Sequence, residues 1–199
     1  MLSSSNFEIR TQDAIRILRL SSADSANRLT RACVLELTTA LRELAALSRP
    51  LIITGNDKFF SAGADLREIA ALSGPQALEF SRTGQELMDL IAGFPATACA
   101  AIRGYCMGGG LDLALACPYR VAAPHAIFGH RGAALGLITG WGGTQRLPRL
   151  VGKARALQMF AAAEKVSAQE ALRIGLVDAV VDDPVAWAAQ KLKHLAFSS

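Results

Sequence analysis

Hydrophobic residues change their spacing repeatedly along the chain, and these changes predict short strands separated by helices. In residues 7–10 and 14–20 the apolar side chains recur at about every second position, as is typical of strands with one buried face. A turn at Gln12 and Asp13 would join these two strands into a hairpin. Apolar runs too short for helices predict further strands at residues 51–55, 97–102, 119–122 and 126–128, and a strand or extended segment at residues 176–181.

Other stretches repeat apolar residues every three or four positions or form an apolar helical run, and these predict helices. The first predicted helix follows the N-cap Thr30, and others begin at Gly74, Leu111 and Pro184. Two more cover residues 152–163 and 168–174. Residues 129–143 form a predicted glycine-rich loop that carries Trp141. Because strands and helices alternate, the sequence predicts an α/β fold, and it contains no internal repeat.

Composition and charge narrow the class of protein further. At 199 residues with 51% hydrophobic residues, the chain is long enough for one well-filled domain. A net charge of +4 with scattered basic residues argues against a nucleic-acid partner. No stretch approaches the roughly 20 apolar residues of a membrane span, and the cysteines form no C-x-x-C pair. We therefore expect a cytoplasmic protein with no membrane partner and no metal site.

Two glycine-containing loops carry the candidate chemistry. Gly108, Gly109 and Gly110 precede the apolar helix, so free backbone N–H groups and the helix dipole would favour a developing negative charge there. In the other loop, residues 56–66, backbone N–H groups near Gly63 and Ala64 would also point at a ligand. A close packing of helices without any ligand is the alternative for the glycine triplet.

Individual side chains near these loops leave alternatives open. Asp112 is the only ionisable group in its helix and is either catalytic or a cap for its own first turn. Asp65 is expected to order its loop or cap the next helix, and Trp141 is expected to serve packing. His130 is either a hydrogen-bonded loop residue or a catalyst. Ser61 has no nearby histidine in the sequence, so a nucleophilic triad has no support.

The two glycine-containing segments resemble the signatures of a known family. Phe-Ser-Ala-Gly-Ala-Asp-Leu at residues 60–66 and Gly-Tyr-Cys-Met-Gly-Gly-Gly-Leu-Asp-Leu-Ala at residues 104–114 are similar to the signature segments of the crotonase (enoyl-CoA hydratase/isomerase) superfamily. The resemblance covers about residues 8–185. It implies a crotonase-like spiral of ββα units, with an acyl-CoA-binding core over residues 1–183 and the start of a shortened C-terminal helical region over residues 184–199.

The same resemblance implies roles for individual residues. The backbone amides of Ala64 and Gly109 would donate to the thioester oxygen of an acyl-CoA and stabilise an enolate. A CoA-binding segment would comprise Ala62, Ala64, Asp65 and Leu66, and the backbone of all of these except Asp65 would meet the adenine. No cofactor is expected beyond the CoA moiety of the substrate.

Two departures from the family pattern affect the expected reaction. Hydratases of the family use two carboxylates, and here the corresponding positions hold Asp112 and Gly132, with His130 and Arg131 beside the gap. Relatives also continue for several helices beyond the position of Leu195, and these helices help to form trimers. The resemblance implies a homotrimer or hexamer. The resemblance thus implies an enoyl-CoA hydratase or isomerase, with Asp112 and His130 as candidates for proton transfer.

A catalytically degraded homologue that binds acyl-CoA, or serves as a subunit without chemistry, is the alternative. A dinucleotide site is set aside because the G-x-G-x-x-G spacing is missing.

Overall fold

Residues 2–197 are described by the computed structural model, and they form three sheets with helices packed around them. The strands are β1 (Leu2–Ser3), β2 (Phe7–Gln12), β3 (Ile15–Leu20), β4 (Arg28–Leu29), β5 (Leu51–Thr54), β6 (Phe59–Ser61), β7 (Gly63–Ala64), β8 (Ala98–Ile102), β9 (Tyr105–Met107), β10 (Tyr119–Ala122), β11 (Ile127–Gly129), β12 (Val166–Ser167) and β13 (Ala179–Val180). The helices are α1 (Arg31–Ala45), α2 (Leu66–Ala70), α3 (Gly74–Ala92), α4 (Gly109–Ala116), α5 (Gly143–Val151), α6 (Lys153–Ala161), α7 (Ala168–Arg173) and α8 (Pro184–Phe197). The predicted α/β class is confirmed.

The largest sheet has seven strands in the order β1-β2-β3-β5-β8-β10-β13. β1, β2 and β3 pair antiparallel, whereas the pairs from β3 to β13 are parallel. The hairpin turn lies one residue later than the predicted Gln12 and Asp13, because Asp13 and Ala14 adopt the positive φ angles of 48° and 67°. Residues 176–181, predicted as a strand or an extended segment, contain the two-residue strand β13.

Alternate side chains of the parallel strands enter two separate apolar layers. Ile53 and Ala100 face the larger core, which also contains the buried faces of α1, α3 and α4. Ile52 and Ala101 face the opposite layer, which is covered by Ala188 and Leu192 of α8 and their neighbours. Both faces of the sheet are therefore buried, which explains why its strands are continuous apolar runs.

A second sheet of four strands, in the order β12-β11-β9-β6, and a two-stranded pair of β4 and β7 carry the predicted functional loops. β9 lies inside the stretch that begins at Gly104, where the sequence predicted only a glycine-rich entry to a helix. Its three residues pair in parallel with β11, and two of them, Tyr105 and Cys106, pair in parallel with β6, which fixes the end of β9 next to the end of β6. The predicted loop at residues 56–66 contains β6 and β7, whereas the glycine triplet directly follows β9. Ala62 to Ala64 and the triplet therefore come after the ends of two neighbouring strands, at the same edge.

Helix boundaries follow local capping signals. The predicted N-cap Thr30 accepts a hydrogen bond from Cys33 N at 3.1 Å, and Asp183 accepts from the amides of Val185 and Ala186 at the start of α8. α5 had no counterpart among the predicted elements. It contains Pro148, and its N-cap Gly142 has a φ of 99°, so its sequence favours a loop. The predicted division at residue 183 stays a prediction.

The four cysteines are buried and carry free thiols. Within residues 2–197, no helix is both long enough and apolar enough for a membrane span. The same residues contain no group of three or more His, Cys, Asp or Glu side chains placed to hold a metal ion.

Candidate active site

The first predicted loop is held in place by a buried serine and a buried asparagine. Ser61, which is fully buried, donates from Oγ to Asn27 O at 2.6 Å and accepts from Gly63 N at 3.1 Å. Asn27 donates from Nδ2 to the carbonyls of Phe59 and Phe60 at 2.9 and 3.1 Å. These bonds tie the loop to the segment before β4, so the backbone that leads to Ala64 is fixed by partners inside the core.

The second loop presents the first backbone amide of α4. Gly108 is the N-cap with a φ of 52°, a conformation that a residue with a side chain rarely adopts. The first hydrogen bond of the helix runs from Asp112 N to Gly108 O at 3.0 Å. The N–H of Gly109 precedes that bond and therefore lies outside the internal ladder of the helix.

The two loops approach one another through glycines. A β-carbon added to Gly63 would lie 3.0 Å from Gly109 N, and one added to Gly109 would lie 3.4 Å from Ala64 N. No side chain separates the two backbones at this point, so the amides of Ala64 and Gly109 lie close together; their role as donors stays a prediction. Gly110 is required for a separate reason, since an added β-carbon would lie 2.6 Å from Ser61 Cβ.

Trp141 fills the space behind the second loop. Its indole, only 3% exposed, lies between α3 and α4 so closely that a β-carbon on Gly84 or Gly109 would overlap the ring. Nε1 donates to Phe80 O at 3.3 Å, and the ring centroid of Phe80 lies 5.2 Å from that of Trp141. The predicted packing role of Trp141 is confirmed, and the indole also supports the backbone that carries the Gly109 amide.

A buried carboxylate, an imidazole and a hydroxyl lie together beyond this loop. Asp112 is 1% exposed and accepts a short hydrogen bond from Thr139 Oγ1 at Oδ2. Its other oxygen, Oδ1, lies 3.2 Å from Nε2 of His130, which is 3% exposed. These two atoms are not aligned for a hydrogen bond, and neither has another hydrogen-bond partner among the described residues. His130 packs against Phe160 with ring centroids 5.1 Å apart.

This arrangement bears on one of the two interpretations of Asp112, that of a cap for its own first turn. Its carboxylate does not accept from the first turn of α4 in the described part of the chain, so the capping alternative is wrong. The adjacent position of Gly143 at the start of α5 has no room for a side chain, because an added β-carbon would overlap Asp112 Oδ1 and lie 3.0 Å from His130 Nε2. The acidic group is therefore enclosed on several sides while it still lines the cavity described below.

Gly132, the position of the missing second carboxylate, begins a single 3₁₀ turn over Gly132–Leu135. Its carbonyl accepts a hydrogen bond from Leu137 N at 2.9 Å, which closes the loop tightly. A β-carbon at this position would lie 2.6 Å from Leu137 O. The loop is thus folded around a residue without a side chain, and the neighbouring His130 supplies the only imidazole among the residues that line the cavity.

A cavity of about 680 Å³ connects these groups. Its wall is made largely of apolar residues, with polar groups concentrated near Asp112 and His130. The site residues that line it are Ala62, Ala64, Leu66, Gly109, Asp112, His130, Gly132 and Trp141. Of the predicted CoA-binding set, Asp65 instead accepts from the amides of Arg67 and Glu68 at 2.8 and 3.4 Å and caps α2, as its local interpretation predicted.

Several lining residues were not singled out by sequence. Thr139 comes 27 positions after the carboxylate it orients, inside a loop with no regular spacing. Phe80 was identified only as part of the apolar stripe of α3, and Phe160 only as part of a helix. Nothing in these local patterns indicates a shared cavity, because the contacts join α3, α6 and the loop before α5 across long sequence separations.

Comparisons of the sequence with known proteins give a family model and similar relatives. The family model described as enoyl-CoA hydratase/isomerase matches residues 10–196. A crotonyl-CoA hydratase of Syntrophomonas wolfei is 40% identical over 180 residues, which make up 88% of this chain and 69% of that protein. A probable enoyl-CoA hydratase of Bacillus subtilis is 44% identical over 174 residues, or 86% of this chain and 67% of the relative.

Solved structures give the same picture at the level of the fold. DspI of Pseudomonas aeruginosa superposes with a TM-score of 0.92 at 35% identity, over 98% of this chain and 76% of that one. An enoyl-CoA hydratase of Thermoplasma volcanium superposes with a TM-score of 0.91 at 32% identity, over 96% of this chain and 77% of that one.

Proposed function

The chain belongs to the enoyl-CoA hydratase/isomerase family and has its crotonase-like fold, and we propose that it stabilises the enolate of an acyl-CoA thioester through the amides of Ala64 and Gly109. The observation that carries this proposal is the close approach of these two backbones at a cavity that also contains Asp112. Hydration of an enoyl-CoA is the reaction favoured here, because the named relatives are hydratases.

The physical basis of the proposal is charge stabilisation by fixed dipoles. When the double bond of an enoyl thioester is attacked, negative charge moves to the thioester oxygen. Two backbone donors and the N-terminus of α4 would interact most strongly with that oxygen at the moment of greatest charge. Removing one such donor from comparable sites costs about 3 kcal/mol of transition-state stabilisation.

Proton transfer is assigned to Asp112 together with His130. Asp112 takes a proton from water while the water oxygen bonds to C3 of the enoyl group, and the electron pair of the double bond moves toward the thioester oxygen. C2 then receives a proton from the same pair of residues as the C2–H bond forms. Thr139 holds the carboxylate in position, and His130 replaces the second carboxylate that Gly132 cannot supply.

The rest of the proposal concerns the CoA portion of the substrate and the assembly. The backbone of Ala62, Ala64 and Leu66, all of which line the cavity, would contact the adenine. No cofactor is needed beyond the CoA moiety itself. A homotrimer or hexamer and a cytoplasmic location stay predictions.

The proposal is tested by comparing Asp112→Asn and His130→Gln with the parent protein. Loss of a general acid or base typically lowers the rate by about 10²–10⁴-fold, so we expect kcat for enoyl-CoA hydration to fall by that factor. Affinity for a saturated acyl-CoA should change little, since the oxyanion donors are untouched. Asp182→Asn and His125→Gln, at exposed positions, are the matched controls. Unchanged turnover in Asp112→Asn would overturn the proton-transfer role.

A binding protein without chemistry is the second candidate, and the loop around Gly132 is the observation that favours it. For that candidate, calorimetry would detect acyl-CoA binding while product analysis found neither hydration nor a shifted double bond across a panel of enoyl thioesters. Robust formation of a 3-hydroxyacyl-CoA would exclude it.

A further inference from the structure

The segment that reaches Asp112 from the loop before α5 has no regular structure of its own. Ile138, Thr139 and Gly140 belong to no helix or strand, and among the described residues none of the three forms a backbone–backbone hydrogen bond. Ile138 and Gly140 are exposed, whereas Thr139 is half-buried and donates from Oγ1 to Asp112 Oδ2. The position of this hydroxyl therefore depends on contacts that side chains make with the loop.

Two side chains of α3 make such a contact. Gly140 O accepts hydrogen bonds from Gln85 Nε2 at 2.7 Å and from Ser81 Oγ at 2.9 Å. Ser81 and Gln85 lie one turn apart on the same face of the helix, and Gln85 Nε2 also lies 3.3 Å from Ser81 Oγ. The loop is so close to the helix that a β-carbon added to Gly140 would lie 2.7 Å from Ser81 Oγ. Two donors thus converge on the carbonyl of the residue that follows Thr139.

We propose that Ser81 and Gln85 are positioning residues for the carboxylate of Asp112, and that they act through the Gly140 carbonyl and the Thr139 hydroxyl. This inference rests on the proposed function and adds to it two side chains of α3. Gln85 is exposed and is not among the residues that line the cavity, so it acts from outside the site.

The burial of Trp141 does not fix Thr139 by itself, because Gly140 lies between them. A glycine has more freedom in its backbone torsions than any other residue, so an anchored indole on one side leaves the threonine on the other side free to turn. Hydrogen bonds to the Gly140 carbonyl restrict that rotation. The contact with Ser81 and Gln85 therefore extends the rigid part of the loop by the two residues that reach Thr139.

The carboxylate needs this support because the last torsion of an aspartate is soft. Oδ2 is engaged by Thr139, and Oδ1 lies 3.2 Å from Nε2 of His130. With the plane of the carboxylate held in this way, Oδ1 is the oxygen that exchanges the proton in the proposed reaction. Without the hydroxyl the carboxylate can rotate, and a misplacement of about 1 Å can lower a rate about 10²-fold.

The first experiment measures steady-state hydration of an enoyl-CoA by variants at Thr139. Thr139→Val keeps the shape of the side chain and removes the hydroxyl, so kcat should fall about 10²-fold while KM changes little. Thr139→Ser retains the hydroxyl and should restore most of the rate. Thr39→Val is the matched control, because Thr39 is exposed on α1 and its hydroxyl donates to Leu35 O within the same helix.

The second experiment separates positioning from a general effect on the fold. The double variant Ser81→Ala with Gln85→Met should lower kcat about two- to tenfold, which is the factor that one net hydrogen bond represents, with little change in KM. In the Thr139→Val background the same two substitutions should have no further effect, because the route to Asp112 is already broken. Gln190→Met, at an exposed position on α8, is the control.

Three results would overturn this inference alone. They are an unchanged kcat in the double variant, an equal loss of kcat in the parent and Thr139→Val backgrounds, and a Thr139→Ser variant as slow as Thr139→Val. Absence of hydration by the parent protein would overturn the proposed function, and this inference with it.

Discussion

The carboxylate of Asp112 lies in the protein interior with the hydroxyl of Thr139 and the imidazole of His130 beside it. In the described part of the chain, His130 is its only ion-pair partner. A buried carboxylate without polar neighbours is costly, and the Thr139 hydroxyl and the His130 imidazole are the polar side chains that the structure places beside Asp112.

Gly132 provides a prediction at the same scale. Gly132→Glu places a carboxylate where the family's hydratases have one, but its β-carbon would lie 2.6 Å from Leu137 O and must shift the loop. We expect the free energy of unfolding to fall by about 1–3 kcal/mol and hydration to gain nothing. Urea denaturation and an enoyl-CoA assay measure the two effects. Ala134→Glu, at an exposed neighbouring position, is the control, and faster hydration in Gly132→Glu at unchanged stability would contradict the argument.

Sequence predicted the site residues that are defined by backbone requirements. The glycines beside Ala64 and Gly109 could be identified because close backbone approach requires the absence of a side chain. The capping role of Asp65 also follows from its neighbours alone. The contact between Asp112 and His130 could not be predicted, since it depends on how the loop after β11 folds back over α4.

Trp141 joins three elements, because it lies between α3 and α4 at the entrance to α5. Its side chain takes the volume that Gly84 and Gly109 leave free. At Gly84 and Gly109, α3 and α4 therefore meet across an indole ring rather than through side chains of their own.

Replacement of this ring should have a large effect on stability. Trp141→Ala should lower the free energy of unfolding by about 3–5 kcal/mol, as for other large aromatic residues in a core. It should also permit binding of acyl groups branched near the thioester, because the space between α3 and α4 beside the Gly109 amide would open. The other tryptophan, Trp187, is partly buried on α8, so Trp187→Ala is the control and should cost less and leave acyl selectivity unchanged. Denaturation curves and calorimetry with a branched thioester test both points.

At the scale of elements, periodicity predicted long helices and buried strands, but not short or interrupted ones. α1 and α3 were found because their apolar stripes extend over several turns and their starts carry capping residues. α5 was missed because Pro148 and the flanking glycines resemble a loop, although Leu147 is fully buried against the core. The two-residue strands have no periodic signal of their own and exist because a neighbouring strand pairs with them.

For the whole molecule, burial of the thiols should make the free energy of unfolding fall as the pH becomes alkaline. Burial raises the pKa of Cys33 and of Cys117 from 9.0 to about 12. Burial likewise raises the pKa of Cys99 and Cys106. Below pH 9 the thiols are protonated in both states, and the full stability is present. Above pH 9 the unfolded chain releases protons that the folded protein keeps, so unfolding becomes more favourable up to about pH 12.

Each buried thiol should lower the free energy of unfolding by roughly 1.4 kcal/mol per pH unit between its pKa in the unfolded chain and its pKa in the folded protein. Urea denaturation at a series of pH values measures the slope, and Cys33→Ala and Cys117→Ala should each make it shallower. The native protein should also resist alkylation at neutral pH and react only on unfolding. Two results would contradict the raised pKa of these thiols. One is rapid alkylation of the folded protein, and the other is a pH slope in both alanine variants that equals the slope of the parent protein.

The order of strands in the main sheet has a consequence for the way the chain folds. Every strand after β1 joins the edge left by the strand that precedes it in that sheet, and the last one, β13, comes late in the chain. The sheet therefore grows from one side only, and no strand has to be inserted between two that are already paired. Since synthesis proceeds from the N-terminus, the hairpin of β2 and β3 can act as the template for β5, then β8 and β10, as each leaves the ribosome.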